Sequence, residues 1–273
     1  MTSFYLLTAH TNLHVGSGDA NYGVIDNLVQ RDVLTELPTI HESGIKGALK
    51  EYFAYQYRGN HGNSVQTAKD NEPLIQHVFG YKDGDGKYRF YGGHLLTFPV
   101  RPSEGALFLR ATSPQLLKDL IDYAKVFGVT LPDLTALTIL SNLAPAINRP
   151  FVFNDKFNGK KIEYKNFVGL LNTSSPVSWL GGNTLVVFND DDFKQICGPN
   201  KLPVLARNSL QDGQSKNLWY EEIVPRQTTF YSFVFKTDVL YDIAFEAALA
   251  NGSIQVGGNA SIGYGVMKFE NKA

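Results

Sequence analysis

Sulfur and net charge are what this chain has least of. In 273 residues it holds two methionines and one cysteine, Cys197. A lone thiol cannot close an internal disulfide or form a paired-cysteine metal site, which excludes a disulfide scaffold and a zinc ribbon and fits a reducing compartment. Formal net charge is −1, so bulk electrostatics point to no polyanionic partner, and any contact with nucleic acid must rest on a local basic surface. No apolar run reaches the roughly 20 residues of a membrane span, and the opening Met1-Thr2-Ser3-Phe4 carries no basic leader. A soluble, cytoplasmic protein with no membrane partner is expected. There is no G-x-S-x-G nucleophile elbow, and Cys197 sits beside a Gly-Pro-Asn turn with no nearby histidine. Gly44-Ile45-Lys46-Gly47 lacks the spacing of a Walker loop, and Gly257-Gly258 leads into a strand instead of the helix that a dinucleotide fingerprint needs. No repeat at a fixed period is present, which removes solenoids and propellers.

What is present is an ordinary globular composition, 43% hydrophobic and 19% charged, ample for a packed core. Phe4 to Ala9 is short and apolar on both faces, as in a central strand. From Ser43, an N-cap candidate, Ile45, Leu49, Tyr52 and Phe53 recur at helical spacing while Lys46 and Lys50 share another face. Residues 58–88 read as polar, Gly-rich loop with a turn at Asp83-Gly84-Asp85-Gly86. Strands are expected at 93–100 and 106–111. A helix should run from Ser113-Pro114 to Gly128, with Leu116, Leu117, Leu120, Ile121 and Ala124 inward. Residues 129–228 give only short β-like runs, at Phe151 to Phe153 and Thr184 to Phe188, and Asp190-Asp191-Asp192 reads as a helix start or solvated turn. The end is clearer: strand 229–235, helix from about 238 to 250, strand 253–256, a glycine loop and strand 264–269. The expected class is α+β, a modified ferredoxin-like or RNA-recognition core carrying long insertions, in one domain over 1–273 with insertions at about 55–90 and 129–220.

Two stretches concentrate chemistry. The first runs from Leu13-His14-Val15-Gly16-Ser17-Gly18 through Gly23-Val24-Ile25-Asp26-Asn27 to Arg31-Asp32, Leu37-Pro38 and Ser43-Gly44-Ile45-Lys46-Gly47. The second is Val256-Gly257-Gly258-Asn259 to Gly263-Tyr264-Gly265. A glycine loop lets a phosphate backbone come close to main-chain N–H groups, and a lysine near a helix start adds a point charge beside the positive end of the dipole. Each element has a plainer reading: a turn for the glycines, solvation for Lys46, a turn or cap for Asp26, a core position for His14.

The ordered set of motifs resembles the RAMP superfamily of CRISPR-associated proteins, and within it the repeated backbone nuclease subunits of type III-B (Cmr) complexes. The resemblance rests on the stretches above together with Pro99-Val100-Arg101, Thr112-Ser113-Pro114 and Leu218-Trp219-Tyr220-Glu221-Glu222-x-x-Pro225. It implies a core with palm, fingers and thumb whose copies stack head to tail along a guide RNA beside other Cmr subunits. It implies regular cleavage of complementary target RNA with Mg²⁺ or another divalent cation that is not stably bound. Asp26 then takes the position of the catalytic, metal-holding aspartate, either coordinating metal or accepting a proton. His14, Glu222 and Glu221 are helpers, and Ser43, Lys46, Lys50, Arg31, Gly257, Gly258, Gly263 and Gly265 are RNA-binding candidates. The alternative is a non-catalytic RAMP subunit that binds guide RNA and only positions the target. A guide-processing, His-dependent endonuclease fits less well, because those enzymes generally lack the Trp-Tyr-Glu-Glu segment.

Overall fold

The structure is a computed structural model and describes residues 1–18, 23–82, 84–163, 167–211 and 214–272. Four strands form its centre, in the spatial order Gly93–Val100, Thr229–Lys236, Thr2–Ala9, Val266–Asn271, each antiparallel to its neighbour. Helix α1 (Glu42–Tyr57) connects the first central strand of the sequence to the second, and a helix at Asp242–Asn251 connects the third to the fourth. That is the split βαβ arrangement of a ferredoxin-like core, so the expected α+β class holds. The second and third strands, which a short hairpin would normally join, are separated by residues 101–228. That stretch extends the sheet outward through Leu109–Thr112, Leu185–Val187, Phe151–Val152 and Leu170–Leu171.

The alternation of Thr2–Ala9 divides its side chains between two cores. Tyr5, Leu7 and Ala9 join Ile45, Leu49 and Phe53 of α1, and Phe53 stacks on Phe245 of the last helix with ring centroids 5.1 Å apart. Phe4 and Leu6 point the other way and join Tyr231, Phe233 and the inward row Leu117, Leu120 and Ile121. This second face is covered by insertion helices at Pro114–Phe127 and Leu134–Ser141. The sheet face that stays open in a free RNA-recognition fold is therefore packed shut.

Several boundaries move. Helix α1 starts at Glu42 with His41 in the cap position and no side-chain cap bond, so Ser43 lies inside the first turn. Residues 58–88 are not a loop: α2 (Val65–Asn71) and α3 (Pro73–Phe79) fold there, and Leu74, Ile75, Val78 and Phe79 enter the core. Of the expected turn, Asp83 lies outside the described residues, while Gly84–Asp85 pairs with Gly80–Tyr81. The strand expected at 106–111 is Leu109–Thr112 and is followed by α4, the Pro114–Phe127 helix, with α5 at Leu134–Ser141. The aspartate run opens α6 (Asp190–Cys197), where the Asn189 side chain accepts from Asp191 N–H. The C-terminal helix, α7, begins at Asp242, four residues after the expected start. Strands Val204–Gln211 and Gln214–Glu222 form a hairpin that is largely solvent-exposed. Among the described residues no helix is long and apolar enough to cross a membrane.

Candidate RNA-processing site

The base of that hairpin assembles the site. Asp26 and Asn27 lie against its second strand: both backbone N–H groups donate to the Tyr220 carbonyl at 3.1 Å, and Asn27 O accepts from Glu222 N–H at 2.9 Å. The Asp26 carboxylate is exposed, and its Oδ2 accepts from Tyr220 N–H at 2.7 Å. His14 meets the same strand, its Nδ1 lying 2.7 Å from the Glu222 carbonyl. A carbonyl only accepts, so Nδ1 carries the proton and a neutral ring leaves Nε2 as an acceptor. His14 and Asp26 line one open pocket of ≈ 530 Å³ with Gly16, Ser17, Gly18, Asn27 and Leu28. Two groups twelve positions apart in sequence thus share a space because one strand anchors both.

The two glutamates are arranged differently from a substrate-facing pair. Glu222 is fully buried; Oε1 accepts from Arg31 Nη2 at 2.6 Å and Oε2 from Val29 N–H at 3.2 Å. Glu221 is 5% exposed, and its oxygens accept from Asn27 Nδ2 at 3.3 Å, Trp219 Nε1 at 2.8 Å, Arg207 Nε at 3.0 Å and Asn259 Nδ2 at 2.8 Å. Burial works to raise the Glu221 pKa, but the bonds from Trp219 and Asn259, with the nearby His14 and Arg207, outweigh it and hold the carboxyl below its usual range. Both glutamates face inward to their own chain, as scaffold. Arg31 is likewise engaged, donating also to Glu36 O at 2.8 Å and Cys197 O at 3.2 Å. The Cys197 thiol is buried and pushed far up by that burial, which makes it inert as a nucleophile.

Among the other RNA-binding candidates, Ser43 and Lys46 are exposed on α1, whereas Lys50 donates to Gly80 O at 3.2 Å and closes the end of α3. The glycine loop has two kinds of glycine. A Cβ on Gly257 would sit 2.4 Å from His14 O, and one on Gly265 would sit 2.0 Å from Val256 O, both at positive φ. Gly263 is also left-handed but would meet nothing within 4 Å. Gly258 N–H donates to His14 O at 2.9 Å, which seats the loop directly on the His14 segment.

Arg207 lies outside the stretches singled out by sequence, and Asn27, Asn259 and Tyr264, whose ring lies 4.6 Å beneath the Arg207 guanidinium, lie inside them without an assigned role. Only Asn259, in a Gly-Gly-Asn run and at φ 63°, carried a local signal, the tolerance of asparagine for left-handed backbone. No group of three or more His, Cys, Asp or Glu side chains that could hold a metal occurs among the described residues. The donor set does not make a resident cage. It does fit a hard cation such as Mg²⁺, which keeps its waters and takes one carboxylate together with substrate phosphates, with Asp26 as that carboxylate.

The RAMP superfamily profile matches residues 6–268. The CRISPR system Cmr endoribonuclease Cmr4 of Pyrococcus furiosus is 27% identical over 94% of this chain and 91% of its own length. A chain in the cryo-EM structure of the type III-B Cmr-beta complex bound to cognate target RNA superposes with a TM-score of 0.81 at 22% identity, covering 99% of this chain and 97% of that one. A crystal structure of Cmr4 gives a TM-score of 0.69 at 18% identity, over 100% and 99% of the two chains. Profile, relative and fold agree over nearly the full length, and the chain belongs to the RAMP superfamily.

Proposed function

We propose that this chain is a guide-RNA-binding backbone subunit of a type III-B Cmr complex and that it cuts complementary target RNA at Asp26. The observation that carries the reading is the exposed Asp26 carboxylate sharing a pocket with His14, both held by the Gln214–Glu222 strand. The endoribonuclease name of the Pyrococcus furiosus relative supports the same chemistry. Cutting RNA internally is simplest by attack of a 2′-hydroxyl on the adjacent phosphorus: the P–O2′ bond forms as the hydroxyl proton passes to a base, the P–O5′ bond breaks as the 5′-oxygen takes a proton from water, and a 2′,3′-cyclic phosphate and a 5′-hydroxyl result. A stacked A-form strand denies that attack its in-line geometry, so the target nucleotide must be splayed at the pocket. Asp26 then sits where a carboxylate accepts the hydroxyl proton or bears on the phosphate charge, and His14 Nε2 offers a second acceptor. A divalent cation shared between Asp26 and the RNA would supply charge neutralisation.

The exposed Lys46 and the glycine loop are assigned to guide phosphates, and copies of the chain stack head to tail on guide RNA with the other Cmr subunits. Light scattering with guide and companion subunits should show open assemblies; closed dimers alone count against the stack. Lys46→Ala should weaken guide binding for all sequences alike and reduce the salt slope by about 1.

The decisive variant is Asp26→Asn, which keeps an oxygen for Tyr220 N–H but removes the charge. Assembly and target binding should persist while cleavage of labelled complementary RNA in Mg²⁺ falls by about 10²-fold or more, with EDTA as the control. Wild-type cutting by this variant would overturn the assignment. Because Asp26 also pins its loop to Tyr220, a purely positional role is the second reading, and loss of assembly in Asp26→Asn would favour it.

A further inference from the structure

Glu221 joins the loop bearing Asp26 to the glycine loop by side-chain hydrogen bonds to both. Its Oε1 accepts from Asn27, the residue next to Asp26, and from Trp219; its Oε2 accepts from Asn259, inside the Gly257–Gly265 loop, and from Arg207. A carboxylate has about four acceptor positions and no donor, so this one is saturated, and each oxygen serves a different side of the site. We propose that Glu221 is a positioning residue for cleavage: a strut that transmits the placement of the glycine loop to the loop carrying Asp26. The inference rests on the functional reading above, in which the glycine loop takes guide phosphates and Asp26 takes the target.

The chemistry of the strut requires a carboxylate and not merely a side chain of that size. Glutamine would turn one acceptor into an amide donor facing two donors, so one end must let go. The backbone bonds that dock Asp26 and Asn27 on Tyr220 O, and Gly258 on His14 O, do not involve the Glu221 side chain. The loops therefore stay attached when it is changed, and what is lost is their mutual alignment. Misplacement of a reacting group by about 1 Å is enough to lower a rate by about 10²-fold.

Two substitutions approach the strut from opposite ends. Glu221→Gln alters the hub. Asn259→Gly removes one donor and keeps the left-handed backbone, because glycine accepts φ 63° without strain. Each is assembled with guide and companion subunits and assayed under single turnover at saturating target. Any change in guide affinity or in KM for target should be small beside the fall in the cleavage rate, which should be about tenfold or more. The two losses should not multiply in the double variant, since both cut the same connection.

Amide hydrogen exchange gives a readout independent of cutting. Guide binding should slow exchange at Asp26 and Asn27 in the wild-type complex and leave it unchanged in Asn259→Gly. A wild-type rate and wild-type exchange response in Asn259→Gly would overturn the strut, as would a loss that tracks guide affinity. If Glu221→Gln does not fold, Asn259→Gly decides alone. If the wild-type complex does not cut, or Asp26→Asn cuts normally, the cleavage reading has failed, and the exchange experiment still judges the connection between the loops.

Discussion

Glu221 and Asp119 are both carboxylates drawn partly away from water, and the protein treats them in opposite ways. At Glu221 four N–H donors converge on two oxygens. At Asp119 one donor is in place, Gln115 Nε2 at 2.8 Å, and the group borders a small cavity of ≈ 140 Å³ with His94, Tyr123, Tyr231 and Asp32. Burial is the largest influence on each pKa, and it pushes upward in both. Donors reverse it at Glu221, which is lowered, whereas Asp119 stays raised, with Asp122 adding to the burial. His94 completes the second region: burial lowers it even though Asp32, Glu42 and Asp119 pull the other way. Depth alone thus does not make an anchor. The number of N–H groups aimed at a carboxylate decides whether it holds elements together or merely tolerates its position.

The widest test of this contrast is truncation. Glu221→Ala leaves the Arg207 guanidinium, two amides and an indole without their acceptor, and should lower unfolding free energy by about 3 kcal/mol or more. Asp119→Ala should lower it by about 1 kcal/mol or less. Urea midpoints with unchanged slopes would measure both, and equal losses would erase the distinction. A second test is pH. His94 has a depressed pKa in the folded chain, so its contribution is complete above the ordinary histidine value of about 6.5 and drains away as pH falls below it. Glu221 follows the same sign in the carboxylate range: its contribution is complete above the ordinary glutamate value and is lost as pH falls from there through its lowered folded value. Asp119 has the opposite sign, favouring the fold only when protonated. Stability measured at pH 7.5, 6.5 and 5.5 should therefore decline across that window, and His94→Phe, whose ring suits the neighbours Tyr123 at 4.8 Å and Tyr231 at 5.3 Å, should flatten the decline. The smallest effect is expected for Asp119→Asn, a gain of about 0.5 kcal/mol or less at neutral pH, and a clear loss there would mean that the charge is used.

The core was readable because its strands and helices are strongly patterned. Thr2–Ala9, α1, α4 and Thr229–Lys236 each carry an apolar row that fits one period, and their residues enter the core as that period requires. Residues 58–88 misled because α2 and α3 are seven residues each, too short for a periodic signal, and owe their helicity to burial, of Ala68 in α2 and of Leu74, Ile75, Val78 and Phe79 in α3. For the site, motif order brought out His14, Asp26, Glu221, Glu222 and the glycines, but not how they are used. Arg31 and Glu222 are 191 positions apart, and no local pattern announces that they neutralise one another. Arg207 and Asn259 are only 14 and 38 positions from Glu221, yet their purpose appears only when the hairpin lies across the glycine loop.

The place of Thr2–Ala9 in the sheet has a consequence for how the chain is made. Its two neighbours are Thr229–Lys236 and Val266–Asn271, so this strand leaves the ribosome long before either partner does. Until then a segment buried on both faces in the finished molecule, Phe4-Tyr5-Leu6-Leu7, stays unpaired, with both backbone edges open. Closing contacts of such sequence separation is slow, and at synthesis rates of about 5–20 residues per second the wait lasts on the order of ten seconds or more. Thr2–Ala9 is thereby a natural target for holding chaperones during translation, and pairing with Val266–Asn271 is the latch that ends its exposure.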